Sequence, residues 1–137
     1  MPNVRLQFRS AVLVAAARIM LGRHGTTGTL RHLTRWYAGP IEVDRVDALR
    51  AVQRAGRVLR AACLPQSVAL AAVLAGGGDP PTLVLGCRQY GDGHWGAHAW
   101  VVVGGEVLEP VPSGPHAELA RLDAANGWVP TQLGANG

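Results

Sequence analysis

Apolar positions along the first half of the chain recur at helical spacing. Val4 to Leu21 contains no glycine or proline and is rich in good helix formers, so it is expected to be a helix. Gly22, Gly25 and Gly28 interrupt it, and Thr29 to Tyr37 reads as a second helix stopped by Gly39-Pro40. Asp44 to Leu59 follows, with Val46, Ala48, Leu49, Val52, Ala55, Val58 and Leu59 forming an apolar stripe. Asp44 stands at the N-cap, and Arg45, Arg50, Arg54, Arg57 and Arg60 are placed on the solvent side.

The second half changes texture. Leu64 to Ala75 is apolar nearly all round, which predicts a buried helix, with Pro65 in its first turn and Gly76-Gly77-Gly78 ending it. Thr82 to Cys87 reads as a strand, Gly91-Asp92-Gly93 as a loop, Trp95 to Val103 as a second strand and Glu106 to Glu109 as a third. Helices followed by antiparallel strands predict an α+β domain spanning 1–137, with a helical, Arg-rich portion (1–60) and a portion carrying the chemistry (61–137).

Composition refines this picture. A chain of 137 residues that is 48% hydrophobic is long enough to bury a real core as one domain. All 13 basic residues are arginine, most of them before Ala61. A GC-rich genome explains this most simply, and an acidic partner is the sharper alternative. The net charge of +4 is spread out, and basic and aromatic residues do not interleave, so a nucleic-acid binder is not expected. Two cysteines make no disulfide scaffold, and a reduced, cytoplasmic chain is the simpler reading. The apolar run Ala11 to Leu21 is too short to span a bilayer and contains Arg18, so no transmembrane segment is expected. It reads as a helix packed on its own domain rather than as a signal peptide or a membrane-surface helix.

The candidate chemistry lies at Cys63 and His98. A thiol attacks only as thiolate, and the free N–H groups of a helix N-terminus favour negative charge. Pro65 puts Cys63 at about the cap of the apolar helix. In the strand, His98, Trp100 and Val102 share one face, and Ala99, Val101 and Val103 the other. Gly104-Gly105 is a two-residue hairpin signal that pairs Val103 with Glu106, Val102 with Val107 and Val101 with Leu108. Extended further, this register sets Trp100 against Glu109 and His98 against Val111. Glu109 is then a diagonal neighbour of His98, roughly 7–8 Å away between backbones, where a carboxylate can orient the imidazole. Glu106 falls on the opposite face, and a slip of one residue would turn Glu109 away.

The run Cys63-Leu64-Pro65-Gln66-Ser67-Val68-Ala69-Leu70, then Leu83-Val84-Leu85-Gly86-Cys87, then His98-Ala99-Trp100-Val101 resembles the leader peptidases of lasso-peptide biosynthesis. These form a compact branch of the transglutaminase-like cysteine proteases. The resemblance covers Ala61 to Glu109 and is fainter in the Arg-rich front half. It implies a transglutaminase-like, papain-like core and a peptidase that cuts the leader from a ribosomally made precursor. By that likeness Cys63 is the nucleophile and His98 the base. The family's third member is usually Asp; here Glu109 occupies that place. The resemblance also implies a separate leader-binding recognition protein, for which this chain leaves no room before Cys63, and an ATP-dependent macrolactam cyclase acting afterwards.

Other candidates are weaker. His94, Trp95 and Trp100 are candidate substrate-lining residues, against the plainer readings of loop and core. Gln53 is a candidate oxyanion helper beside the N–H groups at the start of the Leu64 helix. Cys63, Cys87, His94 and His98 lack the spacing of a zinc knuckle, and neither metal nor cofactor is expected. Two further readings stand beside the peptidase: another cysteine acyl-transfer enzyme, such as an amidase or transglutaminase, and a non-catalytic peptide-binding module.

Overall fold

The computed structural model describes residues 4–37, 43–111 and 116–131. Three helices, α1 (Val4–Trp36), α2 (Arg45–Leu59) and α3 (Cys63–Leu74), precede five strands. The strands are β1 (Thr82–Gln89), β2 (Trp95–Val103), β3 (Glu106–Leu108), β4 (His116–Asp123) and β5 (Val129–Thr131). All neighbours pair antiparallel in the order β3-β2-β1-β4-β5, so the fold is the expected α+β. The Gly39-Pro40 stop lies outside the described residues.

The front of the chain is continuous through Gly22 and Gly28 and breaks only at Gly25, whose φ of 68° is open to glycine at little cost. Thr29 Oγ1 donates to the Gly25 carbonyl at 2.6 Å, holding the break. Asp44 caps α2 as expected, accepting from the Asp47 N–H at 3.1 Å. The buried stripe of α2 differs from the sequence expectation. It consists of Ala48, Ala51, Val52, Ala55 and Gly56, whereas Val46 is exposed and Val58 is 82% exposed. Small residues predominate on this stripe, so α2 can approach its neighbours closely. Arg45 is likewise not simply solvated: it bonds Asp79 at 2.6 Å, Glu106 at 3.3 Å and the Val103 carbonyl at 3.2 Å, tying α2 to the β2–β3 hairpin.

Helix α3 is buried without a break from Gln66 to Leu74, as its uniform apolarity predicts. It packs against α1 and α2 on one side and β1 and β2 on the other. Leu83, Val101, Val103, Leu108 and Leu122 give the sheet a core face continuous with the helices. The other face carries Val84, Gly86, His98 and Trp100, following the alternation of paired strands.

Strands β4 and β5 were not anticipated. His116-Ala117-Glu118-Leu119-Ala120-Arg121 is full of helix formers, and pairing with β1 overrides that preference. The pairing contains a bulge: Leu85 faces Ala120 and Gly86 faces Glu118, so Leu119 has no partner and is exposed. In a regular strand Glu118 and Arg121 would point to opposite faces. The extra residue brings them together, and Arg121 grips Glu118 with bonds of 2.9 and 2.7 Å. Trp128 is buried and donates from Nε1 to Thr34 Oγ1 at 3.1 Å, fastening the start of β5 to α1. No helix among the described residues is long and apolar enough to cross a membrane.

Candidate active site

Cys63 opens α3 as its first helical residue, with Ala62 at the cap, so the helix starts one residue earlier than expected. Pro65, in that first turn, has no N–H to leave unpaired. The N–H groups of Cys63 and Leu64 are those a helix start leaves without intrahelical partners. Both cysteines are free and half-buried.

Two side chains of α3 grip β2 on either side of His98. The Cys63 thiol donates to the Ala97 carbonyl across 4.0 Å, a weak contact. One turn later Ser67 Oγ donates to the Ala99 carbonyl at 3.0 Å. Residues four apart on a helix share a face, so the Cys63–Ser67 row lies along the Ala97–Ala99 stretch of the strand. The thiol therefore abuts the residue immediately before His98.

His98 is 2% exposed, and neither ring nitrogen makes a hydrogen bond among the described residues. Its ring lies 5.3 Å from Trp100 and 6.0 Å from His116, and Trp100 lies 4.4 Å from His116. Burial holds the imidazole below its ordinary pKa; Glu109 opposes this, while Arg88 and His116 reinforce it. A buried ring with both nitrogens unbonded among the described residues and a lowered proton affinity is suited to accept a proton.

The predicted hairpin register is present: Val101, Val102 and Val103 pair with Leu108, Val107 and Glu106. Glu106 bonds Arg45, on the side away from His98. Strand β3 ends at Leu108, one residue before Glu109. Glu109 keeps a mostly shielded carboxylate, with Oε1 3.6 Å from His116 Nδ1. It is also the charge that raises the proton affinity of His98. Glu109 thus acts on His98, while the Cys63 thiol meets β2 one residue before it, at the Ala97 carbonyl.

The Gln53 side chain is engaged with the segment that follows β3. Its amide donates to the Pro110 carbonyl at 3.2 Å, holding the chain just past Glu109. The buried Gln66 donates to the Ala61 carbonyl at 2.8 Å, holding the chain just before Cys63. Between them, bordered also by Arg57 and Val111, lies a cleft of ≈ 500 Å³.

Trp100 is buried, with its indole against His98 and His116, and offers no surface to a ligand. His94 stacks on Tyr90 at 4.6 Å and pairs with Asp92 at the β1–β2 turn. Trp95 is 53% exposed and shares the strand face of Ala97, the residue that Cys63 touches.

Sequence reasoning missed His116 and the reason for Gly86. A Cβ at Gly86 would lie 2.2 Å from the Ala117 carbonyl and 2.9 Å from the Trp100 ring. Glycine is what lets the indole approach β1 this closely beside His98. The signal for His116 was hidden, because it reaches the site only through the unforeseen pairing of β4 with β1, where Arg88 faces it.

The family model for the transglutaminase-like superfamily matches residues 9–123, from α1 to the end of β4, a span that includes Cys63, His98, Glu109 and His116. No curated protein and no solved structure matches the chain. With most of its length matched, and with a helix-start cysteine set against a strand histidine, the chain belongs to the transglutaminase-like superfamily, whose members are typically cysteine proteases or acyltransferases.

Proposed function

We propose that this chain is a cysteine peptidase that removes the leader from a ribosomally synthesised lasso-peptide precursor. Cys63 is the nucleophile, His98 the base and Glu109 the carboxylate that steadies the imidazolium. The observation that carries the reading is the Cys63 thiol at the first turn of a buried helix, against the carbonyl that precedes a buried, unbonded His98. Superfamily membership supports cysteine-dependent acyl chemistry. The Cys-Leu-Pro helix start and the His-Ala-Trp strand support the leader-peptidase assignment by their likeness to that family.

Before reaction the thiol lies against the Ala97 carbonyl. For catalysis the thiol leaves that carbonyl for a ring nitrogen of His98, which takes the proton as the sulfur attacks the last leader carbonyl. The tetrahedral oxyanion is received by the N–H groups of Cys63 and Leu64. His98 returns the proton to the leaving amine, which frees the N-terminus of the core peptide. Water, deprotonated by the same imidazole, hydrolyses the thioester and restores the thiol. The end of the leader occupies the cleft between Gln53, Arg57 and Gln66. A separate leader-binding protein delivers the precursor, and an ATP-dependent cyclase uses the freed amine.

The test is mass spectrometry after one equivalent of iodoacetamide near neutral pH, in the wild type and in His98→Ala. Fast labelling of Cys63 over Cys87, lost in the variant, is expected. Equal, slow labelling of both cysteines would sink the catalytic reading and favour a peptide-binding module. Transfer of the acyl group to an added amine in preference to water would favour the transglutaminase class.

A further inference from the structure

We infer that His116 is a positioning residue for His98, acting through the shared Glu109 carboxylate and through its own charge. This rests on the reading of His98 as the base. The geometry on which it depends is independent of that reading. His116 stands at the start of β4, directly opposite Arg88 of β1. Its Nδ1 is 3.6 Å from Glu109 Oε1, and its ring centre is 6.0 Å from that of His98. The indole of Trp100 touches both rings, at 5.3 Å from His98 and 4.4 Å from His116. Gly86 keeps the floor beneath that indole clear. The two imidazoles therefore pack about one indole, and Glu109 bears on both, as the close neighbour of His116 and as the charge that raises the proton affinity of His98.

The charged groups around this pair come from every adjoining strand. Arg88 faces it from β1 and Glu109 from the residue after β3. On β4, Glu118 interacts with His116 and is itself gripped by Arg121. Strand β2 adds no further charge, since Trp100 is the neighbour there.

Consequences follow from the two protonation states of His116. Protonated, it draws the Glu109 carboxylate into an ion pair and sets a second positive charge beside His98. Both effects disfavour the imidazolium that His98 must become when it takes the Cys63 proton. Neutral, it leaves the carboxylate's charge to act on His98. His116 thus makes the proton affinity of the base depend on a neighbour that is itself a third exposed to solvent.

The experiment follows the His98 ring by NMR titration in the full chain carrying Cys63→Ala, so that no thiol titrates beside it. His116→Gln and His116→Phe are compared with Glu109→Gln. The Phe variant keeps a ring on Trp100 while removing charge and hydrogen bonding. The expected result is an upward shift of the His98 midpoint in both His116 variants and a downward shift in Glu109→Gln. With Glu109→Gln already present, adding His116→Phe should produce a smaller upward shift than it does alone. An unmoved midpoint in both His116 variants overturns the inference. So does a shift in His116→Gln that His116→Phe does not share, because the ring would then serve packing only. In chains with Cys63 intact, the pH profile of iodoacetamide labelling should also be displaced in His116→Phe. Slow labelling at every pH in the wild type would count against the peptidase reading while leaving the His98 titration readable.

Discussion

His98 concentrates the physical chemistry of this site in one side chain. A buried ring with both nitrogens unbonded among the described residues carries a desolvation cost that a structural histidine normally avoids by bonding. Because its folded pKa lies below the ordinary 6.5, the unfolded chain binds more protons than the native one as pH falls past that value. The His98 contribution to stability is therefore complete above pH 6.5 and shrinks as pH falls from there towards the depressed native value. Urea titrations at a series of pH values should show this slope in the wild type and a flatter one in His98→Gln. On the leader-peptidase reading, turnover of a precursor should vanish in Cys63→Ala and His98→Ala, weaken in Glu109→Gln and persist in Glu106→Gln. The two carboxylates separate because one neighbours the His98 cluster and the other the Arg45 guanidinium. Equal losses in both would contradict the strand faces described above. Cys63, His98 and Glu109 were all legible as candidates, because helix-start chemistry, strand alternation and a Gly-Gly hairpin are local rules. His116 was not, because its neighbours in sequence say nothing about β1.

At the scale of elements, the site is held by a few contacts between segments far apart in the chain. Gln53 anchors Pro110 across 57 residues, so Gln53→Ala should lower turnover more than it lowers stability. The stability loss should be that of one hydrogen bond, about 1 kcal/mol by urea unfolding. Gly86→Ala should disturb both, because the new methyl meets the Ala117 backbone and the Trp100 ring. A cost of about 1–3 kcal/mol and altered tryptophan fluorescence are expected. Helix α3 was the most legible element, since an apolar run with no polar face has only one place to go. Helix α2 was legible in its cap and extent but not in its facing. Val46 and Val58 looked like core and are exposed, because small residues at 48, 51, 55 and 56 set the close contact instead. Strand β4 was illegible for the opposite reason: its residues prefer helix, and only an open edge of β1 makes them a strand.

For the molecule as a whole, the division into a helical front and an antiparallel back places the site where α3 meets the end of the sheet. The leader-peptidase reading predicts that cleavage of a full precursor at low concentration rises when a leader-binding partner is added. Undiminished cutting by the chain alone would argue against such a partner. Composition and periodicity already specified an α+β domain with a buried central helix and a cysteine at its mouth. Each of those features follows from hydrophobic pattern, glycine and proline placement, and the free N–H groups of a helix start, all properties of neighbouring residues. Folding in three dimensions supplied the rest. The bulge at Leu119 turned Glu118 and Arg121 to one face, the bare backbone of Gly86 admitted the Trp100 indole, and pairing of β4 with β1 brought His116 to Glu109. Those relations depend on strand register between segments some 30 residues apart, and register is set by how the whole sheet closes over its core rather than by any short run of sequence.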